Sequence, residues 1–172
     1  MIMNVIRNNK IVAGILAFVR IYIGLAWLTA GLGKVSAGFD ASGFIQGAIA
    51  GAGGEHPAVQ GWWAVFLENV ALPNAGVFSF MVAWGEVLVG IALILGLFTN
   101  FAALMGITMN FAFLFSGTVS TNAQMVLLTI FLIIAGANAG RYGLDRWAMP
   151  FLKRHIGNRK HNKTHKPDLA TA

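Results

Sequence analysis

An acidic residue in the middle of a long apolar stretch places the strongest constraint on what this chain can fold into. The stretch runs from Val77 to Phe98, and Glu86 is its one charged residue. A helix of this length spans about 33 Å at about 1.5 Å per residue, which is enough to cross the hydrocarbon core of a membrane. Because a lone carboxylate is very unfavourable there, we expect Glu86 to face the interior of a helix bundle and to have a cationic partner.

The composition excludes several classes of protein. Of the 172 residues, 57% are hydrophobic and 10% are charged, whereas soluble domains have about 25% charged residues. The chain has no cysteine, which excludes disulfides, thiol redox chemistry and thiolate metal sites within it. The net charge of +6 is better explained by membrane topology than by nucleic-acid binding, because the basic residues lie mostly near the two ends of the chain.

The pattern of apolar runs predicts an all-α protein, a polytopic transmembrane four-helix bundle with short interfacial helices between the first and second spans. The predicted spans are about 11–34, 76–98, 101–117 and 122–140. Residues 35–75 form the outer interfacial segment. The whole membrane domain covers 11–150, between a short N-terminus at 1–10 and a basic tail at 151–172.

The first apolar run raises the question of a cleaved signal peptide, since Arg7 and Lys10 precede it. It is longer than the apolar region of such a peptide and contains Arg20, so we interpret it as a retained membrane helix. Four spans put both termini on one side, and that side collects almost all the Lys and Arg residues. The positive-inside rule therefore predicts that both termini are cytoplasmic.

Each predicted span has one polar residue at a similar depth: Arg20, Glu86, Asn110 and Thr129. Counted from the cytoplasmic end of each span, the depths are about 14 to 18 Å at about 1.5 Å per residue. A guanidinium matches a carboxylate well, so Arg20 is the predicted partner of Glu86. The pair has two interpretations: it fixes the register of the helices, or it belongs to a ligand or proton site.

A second polar cluster lies at and just after the end of the fourth predicted span, and its members are Asn138, Arg141, Asp145 and Arg146. Arg141 and Asp145 are four residues apart and so can pair on one face of a helix. The cluster either anchors the fourth helix at the cytoplasmic interface or docks a cytoplasmic enzyme. None of the predicted spans contains histidine, and no metal site and no haem, flavin or iron–sulfur motif is predicted in the chain.

Several motifs give the sequence a resemblance to the DoxX family, in particular to the form common in Gram-positive bacteria. The resemblance covers about Ile11 to Leu152. The motifs that carry it are Arg20-Ile-Tyr-Ile-Gly-Leu-Ala-Trp-Leu-Thr-Ala-Gly-Leu-Gly-Lys34, Gly38-Phe-Asp-Ala-Ser-Gly-Phe44, Val59-Gln-Gly-Trp-Trp63, Trp84-Gly-Glu86, Met109-Asn-Phe111 and Gly136-Ala-Asn-Ala-Gly-Arg-Tyr-Gly-Leu-Asp145.

This resemblance implies a four-helix, multi-pass protein of the bacterial plasma membrane. Arg20, Glu86 and Asn110 match polar intramembrane positions of the family. The family is named after a subunit of a thiosulfate:quinone oxidoreductase, and other members are linked to thiol and oxidative stress. The implied role is therefore that of a membrane subunit of a redox system, one that interacts with quinone.

Three functional hypotheses remain open. In the first, the chain passes electrons from a partner oxidoreductase to quinone: Glu86 relays the proton, Arg20 holds Glu86 or a quinone oxygen, and Asn110, Thr129, Trp27 and Trp84 line the pocket. In the second, it is a non-catalytic membrane anchor or assembly factor for a partner oxidoreductase. In the third, it transports a small solute or protons. The predicted partners are the lipid bilayer and such an oxidoreductase, and glycine-rich helix faces allow a homo-oligomer.

Overall fold

The computed structural model describes residues 1–161, with the backbone alone at 153 and 155–161. In this range the chain is all-α, as predicted, with eight α-helices and no β-strand. The helices are α1 Ile2–Asn8, α2 Lys10–Ala37, α3 Ser42–Ala50, α4 Gly61–Phe66, α5 Ala75–Leu95, α6 Thr99–Phe115, α7 Asn122–Ala135 and α8 Asp145–His161. A π-helical turn, Leu67–Ala71, continues α4, and a 3-10 turn, Gly136–Asn138, continues α7.

Four helices surround the main apolar core. Helix α2 packs against α5 and α7, and α6 packs against the same two helices. Helices α2 and α5 are long and apolar enough to cross a membrane, whereas α6 and the segment Asn122–Asn138 are shorter apolar helices. Large apolar side chains cover the outside of these helices, which is the arrangement that a lipid environment favours.

Helices α2 and α5 pack closely because glycines lie in their contact. A Cβ atom added to Gly90 would lie 2.6 Å from the backbone nitrogen of Leu28, and one added to Gly31 would lie 2.7 Å from that of Val87. Small residues allow this close approach of two backbones between membrane helices. The same contacts show that the helices are antiparallel, since a lower-numbered residue of α2 faces a higher-numbered residue of α5.

The turn from α5 to α6 comes three residues earlier than the predicted turn at Thr99-Asn100. Gly96 and Phe98 have left-handed backbone conformations, with φ of 64° and 50°, and α6 begins at Thr99. The side chain of Asp145 accepts hydrogen bonds from the backbone N–H groups of Phe98 and Thr99. These two bonds fix the start of α6. Their acceptor is 46 residues away in the chain from Thr99, so the sequence around Thr99 could not predict this helix cap.

The segment between α2 and α5 has an apolar core of its own. Its buried side chains are Ala41, Ile45, Ala48, Val59, Ala64, Leu67 and Ala71. Trp63 Nε1 donates to Ser116 Oγ at 2.9 Å, and the rings of Phe44 and Phe113 meet edge to face, so the segment packs against the end of α6. The short helices predicted here are present, and their interfacial position stays a prediction.

The C-terminal part of the chain is helical for longer than the predicted domain boundary at 150. Helix α8 runs through Pro150 to His161, so the predicted basic tail begins inside it. Residues 162–172 of that tail lie outside the described residues.

We expect the Gly90→Ala variant to be destabilised by about 1–3 kcal/mol, because the added methyl group overpacks the contact with Leu28. Gly76→Ala, at the start of the same helix, is the matched control, since a Cβ there would meet nothing within 4 Å. Unfolding in mild detergent, followed by circular dichroism, measures the difference. Equal stability of the two variants would contradict the close packing of α2 and α5.

Candidate functional site

A buried ion pair joins the end of α2 to the middle of α5. Lys34 Nζ donates to both carboxylate oxygens of Glu86, at 3.0 Å to Oε1 and 2.7 Å to Oε2. Glu86 is 1% exposed, while the side chain of Lys34 is 25% exposed. Glu86 therefore depends on Lys34 for its charge compensation, and Lys34 is the member of the pair that a ligand can reach.

The local sequence explains why the two side chains meet. Lys34 lies in the last turn of α2, where a cation is favoured by the helix dipole. Gly31, one turn earlier, lets the backbone of α2 approach Ala83 and Val87 of α5. Because Glu86 precedes Val87 directly, this contact brings its carboxylate within reach of the Lys34 side chain.

Two aromatic rings lie close to the ammonium group. Lys34 Nζ lies 5.7 Å from the ring centroid of Phe39 and 6.0 Å from that of Phe113. Both distances are within the range of cation–π attraction. The site therefore combines a donor, a carboxylate and two flat apolar rings, which come from α2, the following loop, α5 and α6.

The predicted pair between Arg20 and Glu86 is wrong. Arg20 faces Gly96, just past the end of α5, which is ten residues from Glu86, or about 15 Å along the helix. The prediction counted depth from the end of each apolar run, as if all runs began in one plane. In the structure, the N-terminal part of α2 extends well beyond the C-terminal end of α5. Arg20 therefore lies beside the C-terminal end of α5, and not beside its middle, where Glu86 lies.

Arg20 belongs instead to a second polar centre. It is 2% exposed, and its Nη2 donates to the backbone oxygen of Tyr142 at 3.5 Å. Its guanidinium fills the space beside Gly96 and Gly143, where any side chain would collide with it. Asp145 provides the nearby negative charge. Arg20 thus holds together the turns that end α5 and precede α8.

The predicted pair between Arg141 and Asp145 is also absent. The carboxylate of Asp145 caps α6 through Phe98 and Thr99. Arg141 donates instead to the backbone oxygen of Asn8 and to Asn138 Oδ1. The cluster separates because residues 136–144 form turns rather than a continuous helix, so a spacing of four residues does not place the two side chains on one helix face.

The remaining predicted site residues lie at different places in the bundle. Trp27, Asn110 and Thr129 are buried, and their Nε1, Oδ1 and Oγ1 atoms have no hydrogen-bond partner among the described residues. Asn110 Nδ2 donates to Asn122 Oδ1 at 3.0 Å. Trp84 is 45% exposed on the face of α5 opposite to Glu86, so it does not line a pocket with that residue.

Lys34 is the important residue that the sequence prediction missed. A lysine at the end of an apolar run is also typical of a side chain that reaches the membrane surface. Lys34 lies four helical turns after Arg20, on the face that also contains Gly24 and Gly31. This shared face was the signal in the sequence that could have identified Lys34, because small residues indicate which face of a helix packs against another helix.

We expect Lys34→Met to lower the free energy of unfolding by about 3 kcal/mol, because it leaves the Glu86 carboxylate buried without a partner. Glu86→Gln should have a smaller effect, since Lys34 can still reach solvent. The double variant should be more stable than Lys34→Met alone. Unfolding in detergent measures this, with Lys10→Met, an exposed lysine at the other end of α2, as control.

We expect Asp145→Asn to be destabilised by about 2 kcal/mol, because it weakens the cap of α6 and leaves Arg20 without its nearby negative charge. Glu68→Gln removes an exposed carboxylate and should change stability little. Amide hydrogen exchange should show faster exchange in the first turn of α6 in Asp145→Asn alone. Equal exchange in both variants would contradict the capping role.

Comparison with protein-family models gives a match that covers most of α2 and the helices from α3 to α6. The DoxX family model matches residues 15–119, more than half of the chain, and the matched range contains the whole of the Lys34–Glu86 site. No curated protein and no solved structure matches the chain. The family and the apolar helices together indicate a membrane protein. The chain therefore belongs to the DoxX family.

Proposed function

We propose that this chain is a four-span membrane subunit of a redox system, and that it binds the head group of a quinone beside Lys34 and Glu86. The observation that carries the proposal is the pair of hydrogen bonds that a partly exposed ammonium group donates to the two oxygens of a buried carboxylate. Ionisable residues inside membrane bundles are unfavourable for stability and usually mark functional sites.

Two further helices complete the proposed membrane domain. Helix α6 has 17 residues, the lower end of the length that crosses a membrane. Helix α7 and its 3-10 turn together cover Asn122–Asn138, which is a similar length. In this arrangement Arg7, Lys10, Arg141 and Arg146 lie on the cytoplasmic side, and the Lys34–Glu86 pair lies toward the outer side of the plasma membrane.

The residues of the site fit a quinone head group. An ammonium group has three N–H donors. Two of them suffice for the oxygens of Glu86, so Lys34 retains one for a carbonyl oxygen. The rings of Phe39 and Phe113 near Nζ offer flat apolar surfaces against which a planar ring can pack.

When bound, a quinone would accept electrons that a partner oxidoreductase supplies, since this chain has no cysteine for a thiol relay or an iron–sulfur cluster. The role of Glu86 is to hold or release a proton next to the hydrogen-bonded oxygen, and Lys34 stabilises its charged form. Thiosulfate or another reduced sulfur compound, or a thiol in oxidative-stress metabolism, would be oxidised on the partner's side and supply the electrons.

The first test is the quinone content of the purified protein. We expect protein extracted in mild detergent to retain quinone in a stoichiometric amount, measured by mass spectrometry after solvent extraction. Glu86→Gln and Lys34→Met should each lower this amount about tenfold, as expected for the loss of a charge-assisted hydrogen bond. Glu68→Gln, an exposed carboxylate of the outer segment, should retain it.

The contrary outcome has a clear meaning. If the folded wild-type protein holds no quinone, or if both site variants retain as much as Glu68→Gln, the quinone proposal fails. The non-catalytic anchor or assembly factor would then be the better proposal. In that role, deletion of 153–172 should release a partner oxidoreductase and leave the membrane domain folded.

A further inference from the structure

A second site lies at the other end of the bundle, where α5 ends and α8 begins. A surface pocket of about 350 Å³ is formed there by the turn 142–144 with Leu95, Arg141, Arg146 and Trp147. Backbone hydrogen bonds from Leu144 to Leu95 and from Asp145 to Gly96 hold the floor in place. The pocket is therefore a fixed feature of the fold, at the point where the apolar helix α5 ends.

The charges around this pocket favour an anion. Two guanidinium groups, of Arg141 and Arg146, belong to its lining, and no carboxylate does. The nearest acid in the sequence, Asp145, is occupied by the N–H groups that begin α6. Behind the floor lies Arg20, whose Nε and Nη1 have no hydrogen-bond partner among the described residues. A concave surface with cations on several sides and low-dielectric walls concentrates a positive potential.

The apolar part of the pocket fits a lipid rather than a free ion. Leu95 and Leu144 line it, and the rings of Tyr142 and Trp147 are more than half exposed. Tyrosine and tryptophan favour the level of the lipid head groups, where one end of the ring is apolar and the other polar. A ligand here would place its phosphate among the arginines and its glycerol and acyl carbons against these side chains.

We propose that this pocket binds the phosphate head group of an anionic phospholipid, with Arg146 as the main ligand. The Arg146 guanidinium lies 5.6 Å from the ring centroid of Trp147, which holds it at the rim of the pocket. Its planar fork can give two parallel hydrogen bonds to phosphate oxygens. Arg141 is partly engaged with Asn8 and Asn138, so it contributes charge and positions the turn.

The experiment compares lipid retention in wild type, Arg146→Gln, Trp147→Ala and the control Arg154→Gln, which removes an equal charge from an exposed position on the same helix. Each protein is placed in vesicles of phosphatidylcholine with a minor fraction of phosphatidylglycerol, extracted in mild detergent and weighed intact by native mass spectrometry. We expect wild type and Arg154→Gln to retain phosphatidylglycerol, and Arg146→Gln and Trp147→Ala to retain about tenfold less. Thermal melts confirm that the variants are folded.

Separate arms distinguish the sources of the phosphate chemistry. Added phosphatidylglycerol should compete with the lipid that is already bound to the wild-type protein. Inorganic phosphate and glycerol phosphate at equal concentration should not displace that lipid. Equal retention by Arg146→Gln and Arg154→Gln would overturn the proposal, because binding would then follow net charge alone. The proposal would also be overturned if the wild-type protein retained phosphatidylcholine as well as it retains phosphatidylglycerol, or if inorganic phosphate displaced the bound lipid.

Discussion

The Glu86 carboxylate can remain charged inside this apolar bundle because the Lys34 ammonium group bonds both of its oxygens. Either charge alone would be very unfavourable in such surroundings. The pair in turn requires that α2 and α5 lie close enough for a lysine at the end of one helix to reach the middle of the other. Gly31 and Gly90 permit that distance, so the packing of two helices and the chemistry of the site are one arrangement.

The antiparallel contact of α2 and α5 also separates the molecule into two polar ends. Lys34 and Glu86 lie at one end of the contact, and Arg20, Asp145 and the turn 142–144 lie at the other. Apolar side chains such as Ile23, Leu93 and Leu132 fill the core between them. A membrane protein built in this way can bind different ligands at its two surfaces, and the quinone and phospholipid proposals each concern one of them.

Much of the architecture could be predicted from the sequence, because long apolar runs determine where helices form. The all-α class, the bounds of the four long apolar helices to within five residues and the membership of the DoxX family followed from the pattern and the motifs, whereas α1 and α8 were not predicted. The requirement that Glu86 has a cationic partner was confirmed as well, because it rests on the energy of a buried charge and not on the geometry of one fold.

The partners themselves could not be predicted, because they depend on the relative displacement of helices and on contacts distant in sequence. Arg20 was assigned to Glu86 by depth, but α2 extends beyond α5 and Lys34 takes that place. Asp145 was assigned to Arg141, yet it caps a helix that begins 46 residues earlier. Trp84 was placed in the pocket with Glu86, although side chains two residues apart on a helix point to opposite faces.

The most direct test of this account is a solid-state NMR measurement of the ion pair in lipid bilayers. Lysine is labelled with ¹⁵N at Nζ and glutamate with ¹³C at Cδ, and Glu86 is one of three glutamates in the chain. We expect a strong dipolar coupling between the two labels that disappears in Lys34→Met and persists in Arg20→Gln. Absence of the coupling in the wild-type protein, or its persistence in Lys34→Met, would contradict the Lys34–Glu86 ion pair on which the packing of α2 and α5 depends.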